Sequence, residues 1–164
     1  MTIKAGGITL DISGSGQFLP PGELEAMTPQ VDQAAARLHD GTSAGSDFLG
    51  WLDLPGRIET AELDAYRASA GRAADDAEVY VVVGIGGSYL GARAVLDALG
   101  GSAPGCPEVV FAGNGLCSAY LDQVTRRLEG RDFRLCVISK SGTTLEPAVA
   151  FRILRRLLTD RYGA

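Results

Sequence analysis

Glu78-Val79-Tyr80-Val81-Val82-Val83-Gly84-Ile85-Gly86-Gly87-Ser88-Tyr89-Leu90-Gly91 is the stretch that decides the fold of this 164-residue chain. It opens with a β-branched run closed by a glycine. Apolar residues in succession, with no polar alternation, predict a strand buried on both faces. The glycine-rich half leads into a helix-like segment, Ser88 to Leu99. The same rhythm then recurs twice. Glu108 to Ala112 and Phe133 to Ile138 predict strands, each followed by a helix, Ser118 to Glu129 and Leu145 to Tyr162. Three strand–helix units in a row imply an α/β fold, a parallel sheet with helices on both faces. In the common doubly wound order 2-1-3, the first and third of these strands are neighbours. A strand–helix unit normally leads into another parallel strand. Three strands ending on a helix are therefore expected to be the first part of a larger sheet.

Residues 1–75 read as a separate, mainly helical segment ahead of the α/β part, residues 76–164. Ile8 to Ile12 alternates like a short strand, and Gly14 to Gly22 reads as loop. Thr28-Pro29 predicts a helix cap followed by proline in the first turn, with Val31, Ala34, Ala35 and Leu38 at helical spacing and Gly41 as the stop. A loop with Phe48 and Trp51 follows. A second helix is predicted from Thr60 to about Ala74.

Composition excludes several classes. Hydrophobic residues make up 46% and charged residues 21%, which is a globular composition and not that of a disordered chain. The longest uncharged apolar stretch, Val79 to Gly87, is far short of the ~20 residues that span a bilayer. The N-terminus has no apolar run of the kind a secretory signal carries. The net charge of −5 argues against general nucleic-acid binding. That charge is uneven: residues 1–120 carry 6 basic against 15 acidic groups, and residues 121–164 carry 9 against 5. Cys106, Cys117 and Cys136 show no CxxC spacing, and the chain has one histidine. The expectation is a reduced, cytoplasmic protein with no metal site.

Two loops carry the chemistry. Gly84 to Gly91 lets the backbone approach a ligand at a helix start, where N–H groups carry partial positive charge. A dinucleotide site would need glycine at position 89, which is Tyr89, and an acid at the end of the second strand, which reads Ala112-Gly113-Asn114. No nucleotide cofactor is expected. The second loop is Ser139-Lys140-Ser141-Gly142-Thr143-Thr144-Leu145-Glu146-Pro147. Four hydroxyls, a lysine and backbone N–H groups at a helix start suit a phosphate dianion. Neither loop has the Walker A spacing, so the phosphate is expected on a sugar and not on ATP. The plainer readings are tight strand–helix packing for the glycines and helix capping for the hydroxyls. Four hydroxyls are more than a cap requires. In the 2-1-3 order both loops lie at one switch point, outside the carboxyl ends of adjacent strands.

Val83 to Gly91 and Ile138 to Pro147 resemble the two N-terminal motifs of bacterial glucose-6-phosphate isomerase, a family built from two sugar isomerase (SIS) domains. Gly45 to Pro55, Val110 to Asn114 and Leu128 to Phe133 are similar to the family as well. The resemblance runs in order from about residue 8 to 164 and covers the N-terminal portion of the family's sequence. It implies a three-layer, flavodoxin-like SIS sheet and the interconversion of glucose 6-phosphate and fructose 6-phosphate through an enediol, in glycolysis and gluconeogenesis, without a cofactor. It places Ser139, Lys140, Ser141, Thr143 and Thr144 on the substrate phosphate and Gly87 and Ser88 beside the sugar. Glu146 matches a family acid near the catalytic histidine.

The family's base and ring-opening residues lie beyond the matched stretch. The only histidine, His39, sits at the end of the first predicted helix, where a dipole-compatible surface role is expected. The chain is therefore expected to bind sugar phosphate and to be inactive alone. Its third strand would present Leu135-Cys136-Val137-Ile138 as an unpaired edge. Self-association, or a partner chain supplying the missing half, is expected to cover it. The alternatives are a non-catalytic sugar-phosphate-binding regulatory module and an inert truncated remnant.

Overall fold

The computed structural model describes residues 2–163. The chain forms two compact units, one up to Ile58 and one from Glu59 onward.

In the first unit, β1 (Thr2–Ala5) and β2 (Ile8–Asp11) form an antiparallel hairpin with Ala5 opposite Ile8. Gly6 and Gly7 connect them with φ of +56° and +80°. Glycine supplies two successive left-handed residues without strain, which makes a tight hairpin possible. β1 is absent from the sequence reading; the Gly-Gly pair ahead of an alternating run was its signal.

Helix α1 (Glu23–His39) begins well before the expected Thr28-Pro29 cap. Gly22 precedes it at φ +82°, and Glu23 and Glu25 occupy its first turn, where carboxylates oppose the helix dipole favourably. Thr28 is a mid-helix hydroxyl, donating to the Leu24 carbonyl at 3.4 Å. Pro29 lies inside the helix, which forgoes a backbone bond there. The short α2 (Leu54–Arg57) follows. Arg57 ties the preceding loop by donating from Nη2 to the Gly50 carbonyl at 2.6 Å.

The second unit is the α/β body. Its elements are α3 (Thr60–Asp76), β3 (Val79–Val83), α4 (Leu90–Ala98), β4 (Glu108–Ala112), α5 (Ser118–Arg127), β5 (Phe133–Val137) and α6 (Leu145–Tyr162). The sheet order is β4-β3-β5, all parallel, with Val81 aligned between Val110 and Leu135. This is the 2-1-3 order read from the sequence. Val79, Val81 and Val83 are fully buried, in one apolar cluster with Leu121 and Val124 of α5 and Ala150 and Leu154 of α6. Strand side chains alternate between faces, so Tyr80 and Val109 point the other way. They line a groove of about 960 Å³ shared with Leu96 of α4 and Tyr66 and Ala70 of α3. Helices on both faces make three layers. No described helix is long and apolar enough to cross a membrane.

Candidate functional site

β3 and β5 end side by side, with Val83 paired to Val137. The ladder continues one step past them. Ile138 N–H donates to the Val83 carbonyl and Gly84 N–H to the Ala112 carbonyl, both at 3.0 Å. The loops after β3, β4 and β5 therefore leave the sheet together at the carboxyl ends of the strands. Fold and site are joined here by backbone, before any side chain is considered.

Gly84 is buried. A Cβ on it would stand 3.1 Å from the Ser88 Cβ and 3.4 Å from the Ile138 carbonyl oxygen. Glycine here lets Ser88 and the backbone entering the hydroxyl loop close on the same point. Gly86, at φ +57°, starts a 3-10 turn, Gly86–Ser88, before α4. The helix thus starts later than the expected Ser88. Ser88 N–H donates to Ile85 at 3.1 Å and Tyr89 N–H to Gly86 at 3.2 Å, so these two donors already have partners. Gly87 is exposed and Ser88 half-buried.

The hydroxyl loop is closed by its own side chains. Ser139 Oγ accepts from Gly142 N–H at 2.9 Å, and Ser141 Oγ accepts from Thr143 N–H at 3.3 Å and from Thr143 Oγ1 at 3.0 Å. Gly142 sits at φ +71°, a conformation that favours glycine. Thr144 precedes α6 but makes no side-chain capping bond, which weighs against capping as the reason for the hydroxyls. Ser139 to Thr143 are exposed and Thr144 is half-buried. A phosphate oxygen arriving here would take over N–H groups that Ser139 and Ser141 now hold, and would add the hydroxyls as donors.

Glu146 is half-buried in the first turn of α6, beside the buried Pro147. A depression of about 370 Å³ borders the hydroxyl loop, lined by Ser139, Gly142 and Thr144 and by Phe151, Arg152 and Arg155 of α6. It does not include Gly87 or Ser88. The two loops are brought together by the Val83–Val137 pairing and by Gly84, while the open space beside the second loop faces α6. His39 ends α1 in the first unit and is exposed.

Tyr89 and Asn114 join the loops after β3 and β4, a link the sequence reading did not make. Asn114 Nδ2 donates to the Tyr89 hydroxyl at 3.5 Å, and the Tyr89 ring tilts against Phe111 at 5.8 Å between centroids. The signal lies in Phe111-Ala112-Gly113-Asn114, where an amide follows the strand in place of the acid a dinucleotide site would need.

Comparison with known proteins bears on this arrangement. No protein-family profile matches the chain. Among curated proteins, it is 42% identical over 164 residues to a glucose-6-phosphate isomerase of Exiguobacterium sibiricum, 44% identical over 165 residues to that of Pediococcus pentosaceus and 45% identical over 159 residues to that of Staphylococcus saprophyticus. Each match covers 95% of this chain and 36–37% of the relative. The chain thus spans a little over a third of the length of the relatives it matches. Among solved structures, a hypothetical protein from Thermus thermophilus superposes with a TM-score of 0.66 at 29% identity, over 90% of this chain and 34% of that one. The resemblance to bacterial glucose-6-phosphate isomerase read from the two loops is therefore shown along nearly the whole chain.

Proposed function

We propose that this chain is the sugar-phosphate-binding N-terminal part of a glucose-6-phosphate isomerase, comprising the N-terminal segment, residues 1–75, and the first part of an SIS domain, residues 76–164. Ser139, Ser141, Thr143 and Thr144 take the substrate phosphate, with Lys140 supplying positive charge in the same loop. Gly87 and Ser88 border the sugar. Glu146 supports the catalytic histidine of the complete enzyme and faces away from the phosphate, which it would otherwise repel.

The observation that carries this reading is the pairing of Val83 with Val137. It puts the two chemically unusual loops of the chain at one switch point, where ligands of open α/β sheets bind. The relatives' shared activity supplies the substrate class.

Aldose–ketose isomerisation moves a proton between two carbons and needs a positioned base. The two loops contribute hydroxyls, backbone N–H groups and a lysine, and no such base. The 164-residue polypeptide therefore binds sugar phosphate without turning it over.

A coupled assay for fructose 6-phosphate formation, run beside calorimetric titration with glucose 6-phosphate, tests both halves. Binding without turnover is the expected pair of results. Turnover that survives removal of host isomerase would overturn the proposed inactivity. Absence of heat with glucose 6-phosphate would overturn the binding role.

A further inference from the structure

The end of β4 and the loop after it touch both ligand loops. The Ala112 carbonyl accepts from Gly84 N–H at 3.0 Å, which sets where the glycine-rich turn begins. The Phe111 ring lies against Tyr89, and Asn114 Nδ2 donates to the Tyr89 hydroxyl at 3.5 Å, which sets where that turn ends. Between them, Gly113 packs against Pro147 in the first turn of α6, the helix that the hydroxyl loop enters. The stretch Phe111 to Asn114 therefore grips the glycine-rich turn at both ends. It is itself firmly held. Phe111, Ala112 and Gly113 are buried, and the Tyr120 hydroxyl donates to the Phe111 carbonyl.

The turn needs such a grip. Gly86 and Gly87 have no side chains to anchor them, and glycine loses more conformational freedom on ordering than any other residue. The backbone bonds from Ser88 N–H to Ile85 and from Tyr89 N–H to Gly86 are local and bind the turn only to itself. Tyr89 carries its far end across to β4. The hydroxyl loop is different. It is closed by its own side chains, Ser139 Oγ accepting from Gly142 N–H and Ser141 Oγ from Thr143 N–H.

We propose that Asn114 is a positioning residue for the sugar side of the site: through the Tyr89 hydroxyl it holds Gly87 and Ser88 in the place where they border the sugar. This rests on the binding role proposed above. Asn114 touches no ligand in this scheme. It acts before the ligand arrives, by removing freedom that the turn would otherwise lose on binding. The residue type suits the task, since an amide nitrogen donates to a tyrosine hydroxyl and leaves that hydroxyl its own proton. The two parts of a sugar phosphate then depend on different residues. The phosphate relies on the hydroxyl loop and the sugar on the Asn114–Tyr89 link.

This division sets the pattern of losses. Asn114→Ala removes the donor, and Tyr89→Phe removes the acceptor while keeping the ring on Phe111. Each should weaken glucose 6-phosphate binding by about 3–10-fold, the scale of one neutral hydrogen bond. Inorganic phosphate, which has no sugar to place, should bind both variants as it binds the parent. The two substitutions delete the same bond from its two ends. The double variant should therefore bind glucose 6-phosphate no more weakly than either single one.

Titration of the 164-residue chain and the three variants with glucose 6-phosphate and, separately, with inorganic phosphate reads this pattern. Amide hydrogen exchange without ligand reads its cause. Exchange should quicken at Ser88 and Tyr89 in the Asn114 variant and stay unchanged at Gly142 and Thr143. Tyr89→Phe carries the test alone should Asn114→Ala lose its circular dichroism. A general loosening of the fold would weaken both ligands alike and quicken exchange in both loops, and that result would overturn the proposal. So would losses that multiply in the double variant, or glucose 6-phosphate affinity unchanged in folded variants of a parent that binds it. Absence of glucose 6-phosphate binding by the parent would overturn the binding role and this inference with it.

Discussion

The Cα of Pro147 stands 2.9 Å from the point a Cβ on Gly113 would occupy, and Gly113 holds φ +82°. The Val83 Cγ1 is 3.2 Å from the same point. The end of β4 thus packs against the first turn of α6 above β3. The place where the hydroxyl loop enters its helix is set by a glycine in a different loop.

Gly113→Ala is expected to cost about 2–4 kcal/mol, combining a left-handed backbone with a clash against main chain that cannot swing aside. Urea unfolding measures it. Gly115→Ala is the control, with nothing within 4 Å and no positive φ, and should stay within ~0.5 kcal/mol of the parent. A Gly113 variant as stable as the control would show that α6 shifts without penalty.

Leu154 is fully buried at the centre of the α5–α6 face of the sheet, whereas its neighbour Ile153 is 39% exposed. Leu154→Ala should lose about 2–5 kcal/mol. Ile153→Ala should lose under ~1 kcal/mol, since less of its surface leaves water on folding. Thermal or urea unfolding separates the two. Equal losses would contradict the assignment of the core to that face.

Glu108 links two arginines, meeting Arg131 Nη1 at 2.6 Å through Oε2 and Arg127 through Oε1. Burial pushes its carboxyl up, but the hydrogen bond from Arg131 and the charges of both arginines outweigh that and hold it below its ordinary 4.5. A carboxylate whose folded pKa is depressed stabilises the fold fully above its unfolded value. That contribution is lost as pH falls through the folded one. Thermal midpoints followed from neutral pH downward should therefore drop below about pH 4.5 for the parent chain. Glu108→Gln should start lower at neutral pH and show a shallower acid slope. An acid slope unchanged by the substitution would assign the pH dependence to other carboxylates.

The legible part of the fold is the part governed by burial. Val79 to Val83 has no polar alternation because both faces of β3 are covered, and the run announces a central strand without further help. The order β4-β3-β5 is the common doubly wound 2-1-3 order expected of three strand–helix units, and it is this order that brings the two unusual loops together. The first unit was harder to read, and the reason is physical. None of its described residues is buried, so no apolar pattern overrides local signals. Thr28-Pro29 resembles a cap, yet the helix begins at Glu23, where Gly22 turns the chain and two glutamates face the dipole. In the site, the hydroxyl loop was visible as composition. The Tyr89–Asn114 link was not, because its members lie in two loops that only the folded sheet brings together.

The central claim rests on the hydroxyl loop, and amide NMR during titration with glucose 6-phosphate tests it most directly. Saturable shifts are expected at the amides of Ser139 to Thr144 and Gly86 to Tyr89. Binding is expected to be at least ~10-fold weaker in a Ser141→Ala/Thr143→Ala double variant, the scale of one lost hydrogen bond to a charged group. Shifts confined to other parts of the chain, or equal affinity in the double variant, would contradict it.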